Sequence, residues 1–182
     1  DVKADDLEGL LKLALEKTWE LPQPVYYRLA KDDGLRLAGL DGRFELGHAD
    51  LVQDGTDMVV LAMGSAALEA AHAIEVLGRR RVRSALVVVS SFNPSPLDDL
   101  TRILARFPVA LTAEHHYLAG ALGSLVCEVV AERGIGCRVV RCGVGSQAQS
   151  VSGSARYLSA AAGLSGDAIA EQAMAALGSV RT

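Results

Sequence analysis

Val109-Ala-Leu-Thr-Ala-Glu-His-His-Tyr-Leu-Ala-Gly-Ala-Leu-Gly-Ser124 is the stretch whose reading decides the fold. Val109 to Ala113 is apolar and strand-favouring, and it delivers Glu114, His115 and His116 at the point where the strand is expected to end. Ala119-Gly120-Ala121 then turns the backbone into a helix carrying Leu122, Leu125, Val126, Val129 and Val130. Strand, polar cluster, glycine turn and apolar helix form the unit of open α/β sheets, whose ligand crevice lies at the carboxyl ends of the strands.

The same alternation extends to both sides. Met58-Val-Val-Leu-Ala62 is a continuous apolar run, as a parallel strand buried on both faces requires. Gly64-Ser65 is expected to cap a helix bearing Leu68, Ala71, Ala73, Ile74 and Leu77. Ser84 to Val89 reads as the next strand. Ser95-Pro96 then supplies a cap and a first-turn proline for a helix with Leu97, Leu100, Ile103 and Leu104 inward, Asp98 and Asp99 near its start, and Pro108 as its stop. Cys137-Arg-Val-Val-Arg141 gives a further strand. Two helices, from Ser154 to Ala162 and from Asp167 to Leu177, follow a small polar loop. The repeated strand-helix order, with short connections, predicts a parallel sheet covered by helices on both faces, a three-layer α/β/α arrangement.

The N-terminal part is less regular. Asp5 and Glu8 open an amphipathic helix with Leu7, Leu10, Leu11 and Ala14 on one face. Pro22-Gln23-Pro24 ends it, and Val25 to Leu29 reads as a short strand. Lys31 to Asp57 is glycine-punctuated and reads as a linker making one or two edge strands.

Composition narrows the function classes. The 182 residues are 50% hydrophobic and 22% charged, enough for one core of ordinary size. A net charge of −4 argues against a nucleic-acid surface, and Arg79-Arg80-Arg81-Val82-Arg83 reads as a solvated turn, with an anionic partner as the alternative. Cys127, Cys137 and Cys142 fit no zinc spacing, and Cys127 is expected in the core. No apolar run is long enough to span a membrane. The odd cysteine count without a secretory signal points to the cytoplasm.

The glycines match neither dinucleotide nor P-loop patterns. Ser65 lacks the G-x-S-x-G elbow of a hydrolase. Adjacent His115 and His116 on an extended strand face opposite ways, so they do not readily share a metal. A partly buried Glu114 needs donors, which the helix start at Gly120 to Ser124 offers. Gly64, Ser65 and Glu114 are the candidate cleft-lining residues, and His115 or His116 the candidate catalytic donors; the alternative reading of the Glu114-His115-His116 cluster is a hydrogen-bonded loop anchor or an interface lining. Arg28, after a proline turn, has the chemistry to grasp a carboxylate or phosphate. A surface ion pair explains it equally well.

Taken together, Gln23-Pro24-Val25-Tyr26-Tyr27-Arg28, Ala62-Met63-Gly64-Ser65 with Glu69-Ala70, Leu97-Asp98, Thr112-Ala113-Glu114-His115-His116 and Gly120-Ala121-Leu122-Gly123-Ser124 resemble the last third of transketolase-like, thiamine-diphosphate-dependent enzymes. That group includes transketolase, 1-deoxyxylulose-5-phosphate synthase and the β-subunits of 2-oxo acid dehydrogenases. The resemblance implies that residues 1–35 are the tail of a pyrimidine-binding domain, 36–57 a linker with edge strands, and 58–182 a transketolase C-terminal-like domain, a three-layer α/β/α fold with a small, mainly parallel sheet. It places Arg28 near an anionic, possibly phosphorylated substrate. It also implies thiamine diphosphate and Mg²⁺, bound mainly by regions outside this chain, and an N-terminal transketolase-like partner in a homo- or hetero-oligomer. The expected function is that of a C-terminal subunit or fragment moving two-carbon ketol units, inactive alone. The alternatives are a 2-oxo acid dehydrogenase-type β fragment passing its unit to a carrier protein, and a non-catalytic architectural or regulatory module.

Overall fold

The apolar runs become strands because the sheet buries them on both faces. In the structure, a computed structural model, residues 7–28, 36–145 and 152–179 are described. Helix α1 (Leu7–Thr18) is followed by strands β1 (Ala49–Gln53) and β2 (Met58–Met63), then α2 (Ala66–Arg79), β3 (Ser84–Val89), α3 (Leu97–Leu104), β4 (Val109–Tyr117), α4 (Leu122–Glu132), β5 (Arg138–Val144), α5 (Ala155–Ala161) and α6 (Gly166–Gly178). The strands lie in the order β1-β3-β2-β4-β5. β3, β2, β4 and β5 are parallel, and β1 pairs antiparallel with β3 at one edge.

Strand alternation divides the core into two layers. Met58, Val60, Leu86, Val88, Val109 and Leu111 pack with α2 and α6 on one face. Val59, Leu61, Val87, Ala110 and the apolar sides of α3 and α4 fill the other. The chain thus winds away from β2 in both directions, and the sheet's switch point falls between β2 and β4. There the register sets Met63 opposite Glu114.

Several local expectations are corrected. Val25 to Arg28 forms no strand among the described residues; the Tyr27 hydroxyl instead folds back onto buried Thr18 at the end of α1. That helix ends before Pro22, and its expected cap Asp5 lies outside the described residues, as does Leu29. Of the linker, β1 is the one edge strand described; Phe44 is buried without joining the sheet. Helix α3 starts one residue late because Ser95 Oγ donates back to the Phe92 carbonyl, and Leu97 points outward. Cys127 is half-buried rather than core.

Asp99 shows how the edge strand is fastened. Its Oδ2 accepts from the Ala49 amide and meets His48 Nδ1, each at 3.0 Å, tying the start of β1 to the first turn of α3. Burial alone would raise its pKa, but the Ala49 amide, the His48 ring and Arg102 outweigh that and hold the carboxyl below its ordinary 3.8. A folded value below the unfolded one contributes stability above about pH 4. That contribution is lost as pH falls through the folded value. Urea unfolding measured from pH 6 downward is expected to show a steeper loss for the native chain than for Asp99→Asn below about pH 4; parallel curves would contradict the assignment.

Candidate functional site

β4 continues through the polar cluster that was expected to end it, and this places the site. Along the strand Thr112 and Glu114 face α4, whereas Ala113 and His115 face the α2 side, and the register against β5 then shifts before Tyr117. Glu114 is 2% exposed. Its Oε2 accepts from Leu122 N at 2.9 Å and its Oε1 from Gly123 N at 2.8 Å. These are the first two amides of α4, and the residue before them, Ala121, offers no side-chain cap. A carboxylate from the neighbouring strand therefore does what a local serine or aspartate would otherwise do.

Close packing fixes the same helix end. A β-carbon on Gly123 would stand 2.8 Å from Arg141 Cδ and 3.0 Å from Thr112 Oγ1. Arg141 Nη1 donates to the Leu118 carbonyl at 3.0 Å, and Ser124 Oγ accepts from Gly120 N at 2.9 Å. The turn from β4 to α4 is thus held from both sides. A comparable device serves α6, where Glu69 Oε2 accepts from Gly166 N at 2.7 Å.

His115 lies at the meeting of three elements. Its Nδ1 is 3.0 Å from Ser65 Oγ and its Nε2 is 3.0 Å from Ser159 Oγ. Ser65 does not cap α2: its backbone is helical and no side-chain cap bond forms. Its hydroxyl turns to the histidine instead, after a turn in which Gly64 adopts φ +59°. His116 Nδ1 lies 3.1 Å from the Tyr117 carbonyl, and its ring meets Tyr117 edge-on. Arg28 Nη2 donates to the His115 carbonyl at 2.8 Å, so a residue 87 positions earlier joins the carboxyl ends of β2 and β4.

The structure therefore brings Arg28, Ser65, Glu114 and His115 together at the switch point. Sequence reasoning missed Ser159, whose position in α5 carries no motif, and Arg141, whose stem occupies the space beside Gly123. Two depressions elsewhere, of about 400 Å³ beside Gly55 and Arg83 and about 320 Å³ beside His48 and Asp99, include none of those four. The buried thiols are not nucleophiles at neutral pH, because burial pushes Cys137 up to about 11 and Cys142 to about 12. Among the described residues no group of three or more His, Cys, Asp or Glu could hold a metal ion. No helix among them is long and apolar enough to cross a membrane.

A family model for the transketolase C-terminal domain matches residues 47–169. The chain belongs to the transketolase C-terminal domain family. It is 27% identical over 151 residues to one subunit of the apulose-4-phosphate transketolase of Actinobacillus succinogenes, covering 83% of this chain and 49% of that protein. It is 27% identical over 140 residues to 1-deoxy-D-xylulose-5-phosphate synthase of Thermomicrobium roseum, covering 77% and 22%. A solved structure of a split gene transketolase, an inactive beta4 tetramer, superposes with a TM-score of 0.68 at 26% identity, covering 75% of this chain and 44% of that one. The chain spans about half the length of the first of these relatives. The family's small α/β/α sheet is the fold expected from the sequence.

Two substitutions test the helix anchor. Glu114→Gln keeps the shape but sets an amide donor against one of the two backbone N–H groups, and should cost about 1–3 kcal/mol in denaturant unfolding. Gly123→Ala should cost about 1–3 kcal/mol by overpacking against Arg141 and Thr112. A chain as stable as the native one in either case would contradict the geometry.

Proposed function

We propose that this chain is the C-terminal part of a transketolase-like enzyme that transfers two-carbon ketol units, supplying subunit assembly and one wall of the substrate channel. The observation that carries the proposal is the convergence of Arg28 with Ser65 and His115 at the carboxyl ends of β2 and β4. That is where an open α/β sheet receives its ligand. The guanidinium uses one nitrogen on the His115 carbonyl, and Arg28 is exposed. Its fork geometry suits an anionic group such as a substrate phosphate.

What supports a cofactor site outside this chain is that the polar groups of the crevice are engaged with one another: Glu114 with α4, His115 with Ser65 and Ser159. The cofactor, thiamine diphosphate with Mg²⁺, is accordingly assigned to an N-terminal transketolase-like partner in a cytoplasmic homo- or hetero-oligomer. This chain's groups then position substrate: Arg28 orients its anionic end, and His116 is the histidine left to face it, since both ring nitrogens of His115 are held by Ser65 and Ser159. The relatives support a divided enzyme, one being a single subunit of a transketolase and another a split gene transketolase that is inactive as a beta4 tetramer.

Co-expression with the N-terminal subunit from the same source, followed by a ketol-transfer assay, tests the reading. The pair should be active in the presence of thiamine diphosphate and Mg²⁺, and this chain alone inactive. In the active pair, Arg28→Ala should raise KM for a phosphorylated substrate about 10- to 100-fold, the loss of one charge-assisted contact, and leave an unphosphorylated one nearly unchanged. No ketol transfer by the pair, or equal effects on both substrates, would contradict the proposal.

A further inference from the structure

Three hydroxyl and imidazole groups at the switch point form a chain whose proton order can be worked out. Ser159 is 7% exposed, and its Oγ donates to the Leu164 carbonyl at 3.2 Å. A carbonyl only accepts, and a hydroxyl has one proton to give. With that proton directed at Leu164, Ser159 Oγ can only accept from His115 Nε2, 3.0 Å away. The ring proton is therefore on Nε2, and in the neutral imidazole Nδ1 is then the acceptor. Ser65 Oγ, 3.0 Å from Nδ1, must donate to it.

We infer that Ser159 is a positioning residue which, by locking His115 in its Nε2–H form, commits the Ser65 proton inward and presents the Ser65 oxygen to the crevice as an acceptor for a substrate hydroxyl. Ser65 is half-buried at the mouth of the β2–α2 turn, next to exposed Gly64. A β-carbon placed on Gly64 would meet nothing within 4 Å, so a ligand can approach Ser65 from that side. The arrangement selects polyhydroxylated ligands, which carry donors. Groups that only accept, such as a carboxylate or phosphate, would meet the oxygen's lone pairs and are directed to Arg28 instead. Ser159 touches no substrate in this scheme; it acts through the ring.

The tautomer stands on this chain's own hydrogen bonds, whereas the use of Ser65 on substrate rests on the ketol-transfer reading, and the test separates them. Long-range ¹H–¹⁵N correlation spectra of the full chain labelled at histidine report the tautomer of each ring, with His115→Gln identifying the His115 signals. The neutral ring is expected as Nε2–H in the native chain. In Ser159→Ala it should shift toward Nδ1–H, since Nε2 has lost its acceptor while Ser65 can still accept. A native ring in the Nδ1–H form, or signals unchanged in Ser159→Ala, would overturn the inference; if Ser159→Ala does not fold, the native spectrum decides. In the active pair, Ser65→Ala and Ser159→Ala should each raise KM for a ketose severalfold with little change in kcat. An active pair with unaltered KM would overturn the role given to Ser65 while leaving ketol transfer intact.

Discussion

The structure depends on a carboxylate placed where a helix begins. α4 starts with its first amides against the sheet, preceded by an alanine that cannot cap it, and those amides would be buried donors without partners. Glu114, reaching across from β4, satisfies both. Because an unsatisfied buried donor costs about 1–3 kcal/mol, the glutamate fixes the helix in position as well as in energy. Gly123 completes the constraint, since only a residue without a side chain lets the helix start rest on Arg141 and Thr112.

That anchor sets the rest of the crevice by alternation. With Glu114 committed to the α4 side, His115 must face the opposite layer, where Ser65 and Ser159 hold both ring nitrogens. The backbone carbonyl of the same histidine is left for Arg28. One residue of β4 thereby gathers groups from the N-terminal segment, the β2–α2 turn and α5. Glu69 repeats the long-range cap at α6, which packs on α2 beneath the same end of the sheet.

Much of this was legible from residues alone, for physical reasons. Continuous apolar runs as short as Met58 to Ala62, bounded by turn residues, suit strands buried on both faces, and their alternation with apolar helices pointed to a parallel sheet. The need of Glu114 for donors at the next helix followed from its burial. Other features were hidden because local chemistry has two uses. Gly64-Ser65 before a helix looks like a cap, yet the Ser65 hydroxyl goes to His115. Glu114-His115-His116 looks like a strand end, yet β4 runs on to Tyr117 because each polar side chain finds a partner. Val25 to Arg28 has strand composition but pairs with no strand among the described residues. Ser159 has no signal at all, because its importance comes from a contact 44 positions away.

Native-state amide hydrogen exchange at Leu122 and Gly123 reads the Glu114 anchor directly. Both amides are at the first turn of a helix, where ordinary fraying would leave them open to solvent. Held by the carboxylate, they are expected to exchange as slowly as the amides of β2 and β4, and Glu114→Ala should remove that protection while the central strands keep theirs. Exchange at the rate of exposed amides in the native chain would contradict the anchor.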